Sequence, residues 1–308
     1  MGIMVGLPSP SGSEKDLQLN FGKNMTVQVE MRVPHLPAEW HMQSGIQLTW
    51  PHAGTDWAYM LAEVQECFIN IAREIAKREL LLIVTPEPEE VKKQIAATVN
   101  MNNVRFLECA TNDTWARDHG AITMIDTGTP SARLTFNGWG LKFASELDNQ
   151  ITKQAVEAGA LKGQYIDRLD FVLEGGSIES DGMGTLLTTS ECLLSPQRNG
   201  RLNQVEIEEY LKSTFHLQKV LWLDHGYLAG DDTDSHIDTL ARFCSTDTIA
   251  YVKCDDKEDE HYQALLAMEE QLKTFRTLAG EPYRLLALPM ADKIEEDGER
   301  CPQLTPTS

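Results

Sequence analysis

Short apolar segments alternate with amphipathic ones along most of the chain beyond residue 45. The segment Leu80–Thr85 is almost entirely apolar, as in a strand that is buried on both faces. Residues 57–77 carry apolar side chains at helical spacing and are predicted to form an amphipathic helix. The same criteria predict strands over 46–50, 80–85, 104–107, 121–125, 133–136, 170–173, 177–180, 185–189, 220–223, 241–244, 249–253 and 283–288. They predict helices over 57–77, 88–99, 147–158, 205–214 and 258–278.

The predicted helices recur at intervals of roughly 55–65 residues, which suggests an internal repeat. Each repeat has the order strand, strand, helix, strand, and no Gly-Ser linker separates the repeats. The pattern therefore predicts a single α/β domain over residues 31–308, preceded by a polar, flexible leader over residues 1–30. A charged segment, 293–300, follows the last predicted strand and is expected to be a solvated loop. Because no closing element follows this loop, we expect the domain to be incomplete.

Composition narrows the class of protein. The chain has 308 residues and a net charge of −20, which argues against nucleic-acid binding and is compatible with a small cationic substrate. Its six cysteines include no Cys-x-x-Cys pair, so we expect reduced thiols and a cytoplasmic protein. No secretory signal and no apolar run of membrane-spanning length is present, so no membrane partner is expected. The sequence leaves the oligomeric state, including a homo-oligomer, open.

Three segments place charged or polar residues beside glycines near the ends of predicted strands. They centre on Asp118, on Glu174 before Gly175-Gly176, and on the stretch 230–238, which contains His236 and four aspartates. Loops at strand ends are where sites are commonly built on a rigid scaffold. On an extended backbone, His236 and Asp238 would project to one face and could serve either proton transfer or a metal. Each segment alone also has a structural explanation. Asp118 could pair with Arg117 or another basic residue, Glu174 could cap a turn, and His236 could be packed in the core. The other aspartates of the third segment, Asp231, Asp232 and Asp234, could form an Asx-rich loop without a ligand.

A metal or nucleotide site is disfavoured by spacing. Counted from Asp232 as a calcium loop, the sixth position is Ile237 instead of glycine and the twelfth is Phe243 instead of glutamate. No cysteine has zinc-like spacing from His236, and no phosphate-binding glycine motif or nucleophile-elbow motif occurs. We therefore expect neither a metal nor an organic cofactor.

Four motifs occur in the order Trp115-Ala116-Arg117-Asp118, Phe136-Asn137-Gly138-Trp139-Gly140, Leu173-Glu174-Gly175-Gly176-Ser177-Ile178 and Asp234-Ser235-His236-Ile237-Asp238. Together they resemble the agmatine deiminase family, which includes the bacterial peptidyl-arginine deiminases and belongs to the pentein superfamily. Two earlier segments, 36–40 and 50–52, fit as well.

The resemblance implies a pentein-type α/β propeller of five ββαβ modules, four of which are expected here. It implies that Asp118 and Asp238 bind a guanidinium group and that His236 transfers protons. By the same similarity, Glu174 would hold His236 in its charged form, and Trp115 would pack on the substrate. The implied reaction converts agmatine and water to N-carbamoylputrescine and ammonia on the route to putrescine, with peptidyl-arginine as the alternative substrate.

The family's nucleophile is a cysteine thiolate in a Gly-rich segment that ends in His-Cys. No such segment occurs in this sequence, and Cys301 has neither the glycines nor the histidine. Cys192 and Cys244 lie beside leucine or phenylalanine and are expected to be buried apolar residues. Two hypotheses follow: a deiminase whose thiol is missing from the sequence as given, or a catalytically inactive protein that binds a guanidinium ligand.

Overall fold

Four sheets, each associated with helices, make up most of the part of the chain that the structure describes. The structure, a computed structural model, describes residues 2–4, 34–125, 130–296 and 299–300. In the first sheet the strand order is β1-β2-β3-β4, with β1 antiparallel to β2 and the other pairs parallel. Its elements are the strands β1 (Gly2–Met4), β2 (Gly45–Thr49), β3 (Leu80–Thr85) and β4 (Val104–Glu108) and the helices α1 (Leu61–Ala76) and α2 (Pro88–Ile95).

The next three sheets share one topology. In each sheet the first strand pairs antiparallel with the second, and the second pairs parallel with the third. A parallel pair needs a crossover connection, and a helix supplies it every time. The strands are β5 (Ile122–Thr123), β6 (Pro130–Thr135) and β7 (Gln164–Val172), then β8 (Ile178–Ser180), β9 (Thr185–Thr189) and β10 (Lys219–Leu223), then β11 (Ala241–Ser245), β12 (Thr248–Lys253) and β13 (Arg284–Pro289).

The helices of these three sheets fall into two length classes. The crossover helices are long enough to bury an apolar face, and the others are single turns at strand ends. The single turns matter because they carry several of the polar residues discussed below. The long helices are α5 (Asp148–Glu157), α8 (Gln204–Phe215) and α10 (Tyr262–Thr274), and the short ones are α3 (Ala116–His119), α4 (Gly138–Leu141), α6 (Ser190–Leu193), α7 (Pro196–Asn199) and α9 (Ile237–Leu240).

Strand β3 shows why the apolar run of residues 80–85 is needed. Leu81 and Ile83 belong to an apolar cluster with the buried face of α1, whereas Leu82 and Val84 belong to a different cluster that includes Ile151 of α5. Side chains alternate between the two faces of a strand, so a strand covered on both faces must be apolar at every position. Strand β3 is therefore buried along nearly its whole length.

The predicted order of strands and long helices is confirmed, with local corrections. Helix α10 covers 262–274 and not 258–278, because residues 256–261 form turns in which the Asp259 carboxylate accepts from the His261 backbone N–H at 2.9 Å. Helix α2 ends at Ile95 instead of residue 99, and β7 begins at Gln164, six residues before its predicted start. The five single-turn helices were missed, since four residues are too few to show a helical period.

Only short segments are described at the two ends of the chain. Gly2–Met4, inside the predicted leader, forms the short strand β1, and the rest of that leader lies outside the described residues. The segment expected to be a solvated loop instead contains a short antiparallel pair, β14 (Glu295–Glu296) with β15 (Glu299–Arg300). Among the described residues, no helix has both the length and the apolar content needed to cross a membrane.

Candidate functional site

Three polar side chains from two distant parts of the sequence converge beside Gly176. A Cβ atom built on Gly176 would lie 2.6 Å from His236 Nδ1, 2.7 Å from Asp118 Oδ1 and 2.9 Å from Asp238 Oδ2. Real Cβ atoms essentially never show contacts under 3.0 Å, so only glycine fits here without displacing these groups. The fold therefore brings together the histidine and the two aspartates that the sequence singled out.

Asp118 is fixed from two sides. It lies on the single-turn helix α3 and is buried. Its Oδ1 atom accepts a hydrogen bond from the Gly176 backbone N–H at 3.0 Å, and its Oδ2 atom accepts one from the Trp139 Nε1–H at 3.1 Å. Trp139 was not among the predicted site residues. Its position in the Phe136–Gly140 motif was the available signal, but nothing in the sequence showed that its N–H would reach a carboxylate.

The structural alternative in which Asp118 pairs with Arg117 is wrong. Arg117 instead donates to Glu39 at 2.6 Å, within a cluster that also contains Arg242 and Glu179, whose closest approach is 3.0 Å. Adjacent residues on one helical turn point in different directions, so Arg117 faces this ion-pair cluster while Asp118 faces the site. Arg117 thereby anchors α3 without contacting the Asp118 carboxylate.

His236 and Asp238 do meet at the site, but not in the way the sequence predicted. The backbone is not an extended strand here, because His236 is the N-cap residue of α9 and Asp238 lies in the first turn of that helix. His236 Nδ1 lies 3.6 Å from Asp118 Oδ1. Burial raises the pKa of the Asp238 carboxyl above its ordinary value, and His236 opposes that rise. A cation placed between the two aspartates would relieve the crowding of negative charge.

The remaining aspartates of the acidic stretch have structural roles. Asp231 accepts from the backbone N–H of Thr233 at 2.9 Å and from that of Ser235 at 2.8 Å, forming an Asx-type turn. Asp234 accepts from Lys142 at 2.7 Å and from Arg198 at 2.5 Å. Burial alone would raise the pKa of Asp234, but these two hydrogen bonds hold it below its ordinary value. The structural explanation is therefore right for Asp231 and Asp234.

Glu174 does not cap the glycine turn with its side chain. It is the N-cap residue of a short 3₁₀ turn, Gly175–Ser177, yet makes no side-chain capping bond. Both of its carboxylate oxygens instead accept from Arg198 Nε, at 2.8 and 3.0 Å, and both side chains are fully buried. Arg198, on α7, was missed entirely, since a lone arginine 24 residues from its partner carries no sequence signal.

Glu174 also lies close to His236, together with Cys192. One oxygen of Glu174, one ring nitrogen of His236 and the Cys192 sulfur all lie within 4.8 Å of one another, a spacing at which three such atoms could hold a metal ion. Arg198 competes with a cation for the oxygens of Glu174. Burial, together with the Glu174 carboxylate, raises the pKa of the Cys192 thiol well above its ordinary value, which disfavours the thiolate that a metal or a nucleophilic role requires.

The cysteine predictions are half right. Cys192 is buried, as expected, but Cys244 is exposed. Cys244 lies on β11, on which only alternate residues face the core, so its neighbour Phe243 is buried instead. Cys301 lies outside the described residues.

Aromatic rings extend from the site toward solvent. Trp139 contacts Trp115 edge to face, with ring centroids 6.2 Å apart, and Trp115 in turn lies 6.0 Å from Trp57. Trp139 is buried, whereas Trp115 is 38% exposed. Trp115 therefore presents an accessible aromatic surface next to Trp139, whose ring N–H is hydrogen-bonded to Asp118. This position is suited to the alkyl or cationic part of a ligand.

A protein-family model matches most of the chain. The model of the Porphyromonas-type peptidyl-arginine deiminase family matches residues 35–304. The chain belongs to this family. All five residues predicted for the site lie within the matched segment.

Individual relatives of the chain are agmatine deiminases. The agmatine deiminase of Ectopseudomonas mendocina is 31% identical, over 87% of this chain and 73% of the relative. A solved structure of C. jejuni agmatine deiminase, a cysteine-to-serine variant with substrate bound, is 37% identical and superimposes with a TM-score of 0.81, covering 89% of this chain and 79% of that one. The agmatine deiminase of Enterococcus faecalis is 27% identical, with a TM-score of 0.77 over 87% of this chain and 74% of that one. At the family level, the chain is therefore a hydrolase of C–N bonds in amidines.

Proposed function

We propose that this chain is an agmatine deiminase-like protein that binds the guanidinium group of agmatine beside Gly176. The observation that carries the proposal is the convergence of Asp118 Oδ1, Asp238 Oδ2 and His236 Nδ1 around that one residue. Two carboxylates suit a planar guanidinium, which donates several hydrogen bonds in fixed directions. The imidazole beside them suits proton transfer to departing ammonia and from attacking water.

The surroundings support these roles. Burial of Asp238 places negative charge where water screens it weakly, which strengthens attraction to a cationic ligand. One oxygen of Glu174 lies within 4.8 Å of a ring nitrogen of His236, so Glu174 would help to hold that ring, although the hydrogen bonds described for Glu174 come from Arg198. Trp115 would cover the alkyl chain of the substrate. We propose cytoplasmic polyamine synthesis as the setting, consistent with the cationic substrate.

The fold fits the proposal. We infer that the sheets are successive modules of a pentein-type α/β propeller, because three of them share the ββαβ topology. Of the three site residues beside Gly176, Asp118 lies just before the first strand of one sheet, and His236 and Asp238 lie just before the first strand of another. A ring of such modules would direct these segments toward a common centre, which is where a single substrate could contact all of them.

The covalent step needs a thiolate that attacks the guanidinium carbon, releases ammonia and is then freed by water. Cys192 is the described cysteine that clusters with Glu174 and His236, and its raised pKa makes it unsuited to attack. This observation favours a second candidate function, guanidinium binding without turnover. We therefore expect the polypeptide 1–308 to bind agmatine and to release no ammonia from it.

Calorimetric titration with agmatine tests the binding, and an ammonia assay tests turnover. We expect binding by the purified chain, loss of binding in Asp238→Asn, and unchanged binding in the matched control Asp232→Asn, whose side chain is exposed. Equal binding by all three proteins would refute the proposed site. Ammonia release that disappears in Cys301→Ala would instead establish an active deiminase. Parallel titration with an arginine-containing peptide distinguishes peptidyl-arginine from agmatine as the ligand.

A further inference from the structure

The backbone just before His236 adopts a conformation that L-amino acids disfavour. Asp234 has a φ of 63° and Ser235 a φ of 60°, both in the left-handed region. Non-glycine residues there are uncommon, and they persist when the surrounding contacts hold them. His236 follows directly, so the direction in which its ring points depends on these two residues keeping that conformation.

Two cations from other parts of the fold hold this turn. Lys142, just after α4, donates to Asp234 Oδ1 at 2.7 Å and to the backbone carbonyl of Asp232 at 2.5 Å. Arg198, on α7, donates to Asp234 Oδ2 at 2.5 Å and to the carbonyl of Thr233 at 2.9 Å. Lys142 and Arg198 therefore hold the loop from two sides, through the Asp234 side chain and two backbone carbonyl groups.

Arg198 continues the chain of contacts to the other wall of the site. Its Nε atom donates to both oxygens of Glu174, while its terminal nitrogens reach the loop. The Arg198 side chain has no exposed surface, and its charge is balanced by Glu174 and Asp234. A buried guanidinium whose three nitrogens all donate hydrogen bonds is a rigid spacer, because its fork geometry fixes the distance between the groups it joins.

We propose that Lys142, Asp234 and Arg198 form a positioning device that sets the His236 loop at a fixed distance from Glu174. None of the three needs to touch the ligand. The device joins a turn after β6, a turn after β9 and the loop before β11, so it ties three sheets together at the site. The inference rests on the proposed function for its effect on agmatine, but its effect on the loop is independent of any ligand.

The test measures amide hydrogen exchange in residues 231–238 without ligand, and agmatine affinity by calorimetry. Asp234→Asn is the principal variant, since Asp234 is partly exposed and the change preserves shape. We expect exchange in this segment to accelerate about tenfold and affinity to fall about tenfold, a change of about 1.4 kcal/mol in each equilibrium. Lys142→Met should have the same effects, and Lys142→Arg, which keeps a donor, should restore both.

Two comparisons separate positioning from general stability. Asp232→Asn changes a neighbouring exposed carboxylate and should leave exchange and affinity at wild-type values. Strands β9 and β10 should keep wild-type exchange in Asp234→Asn, whereas a general loss of stability would accelerate exchange there as well and overturn the proposal. Arg198→Lys extends the test, although loss of a buried partner of Glu174 can also impair folding.

The outcomes for the two proposals are distinguishable. Wild-type exchange and affinity in Asp234→Asn would overturn the positioning device. Failure of the wild-type protein to bind agmatine, with faster loop exchange in Asp234→Asn, would sink the proposed function while supporting the device.

Discussion

Replacing Gly176 with alanine is the sharpest perturbation of the proposed site. The added Cβ would meet His236 Nδ1, Asp118 Oδ1 and Asp238 Oδ2 at 2.6, 2.7 and 2.9 Å. Ordinary van der Waals contact begins at 3.4 Å, so the three groups would have to withdraw by between 0.5 and 0.8 Å. Binding constellations tolerate only about 0.5 Å of misplacement. The extra methyl group should also destabilise the fold by about 1–3 kcal/mol through overpacking.

We expect Gly176→Ala to weaken agmatine binding at least about tenfold, which corresponds to about 1.4 kcal/mol in calorimetric titration. Gly159→Ala is the matched control. Gly159 has a φ of 69° and open space around it, so alanine there strains the backbone without touching the site. It should lower the free energy of unfolding by about 1 kcal/mol in urea denaturation and leave the affinity unchanged. Wild-type affinity in Gly176→Ala would refute the geometry from which the site is argued.

Two further predictions test a hydrogen bond and a buried histidine. Trp139→Phe removes the N–H that donates to Asp118. It should weaken agmatine binding about tenfold, since hydrogen bonds to charged groups contribute about 1.5–3 kcal/mol. The control Trp57→Phe loses a hydrogen bond to the neutral hydroxyl of Thr114 and should bind agmatine normally in the same titration. Burial lowers the pKa of His119 from 6.5 to about 4, although the charge of Asp118 opposes this shift. Between these two pKa values the unfolded state binds a proton that the folded state does not, so the free energy of unfolding decreases as the pH falls below 6.5. The stability advantage of wild type over His119→Gln should shrink by about 2 kcal/mol between pH 7.5 and pH 5 in urea denaturation, and a constant difference would contradict the assignment.

The repeat could be predicted from the sequence because long helices and strands show a regular spacing of apolar residues. The strands 80–85 and 185–189 have the predicted bounds, and each long crossover helix lies where apolar side chains recur at helical spacing. The single-turn helices were invisible for the opposite reason. Helix α9 has only four residues, too few to show a helical period, so the sequence predicts an extended backbone from His236 to Asp238. The two side chains reach the same point because of the turn and not because of strand alternation.

Partners of site residues were the least predictable part. Motif residues such as Asp118 and Glu174 stood out because carboxylates beside glycines are unusual. Arg198 and Trp139 did not stand out, since an arginine or a tryptophan alone has many ordinary roles. Their importance arises from tertiary distances, 3.1 Å from Trp139 to Asp118 and 2.8 Å from Arg198 to Glu174, that no local pattern encodes.

The acidic stretch illustrates how one composition serves two purposes. Asp231 satisfies backbone N–H groups, Asp234 neutralises two cations, and Asp238 alone of the three lies beside Gly176. Burial raises the pKa of the Asp238 carboxyl, against the opposing charges of His236, Arg117 and Arg242. The same loop thus uses Asp231 and Asp234 to hold a strained backbone and Asp238 to bind. Removing Asp234 should therefore disturb the loop and, through it, weaken binding, whereas removing Asp238 should abolish binding in a loop that stays ordered.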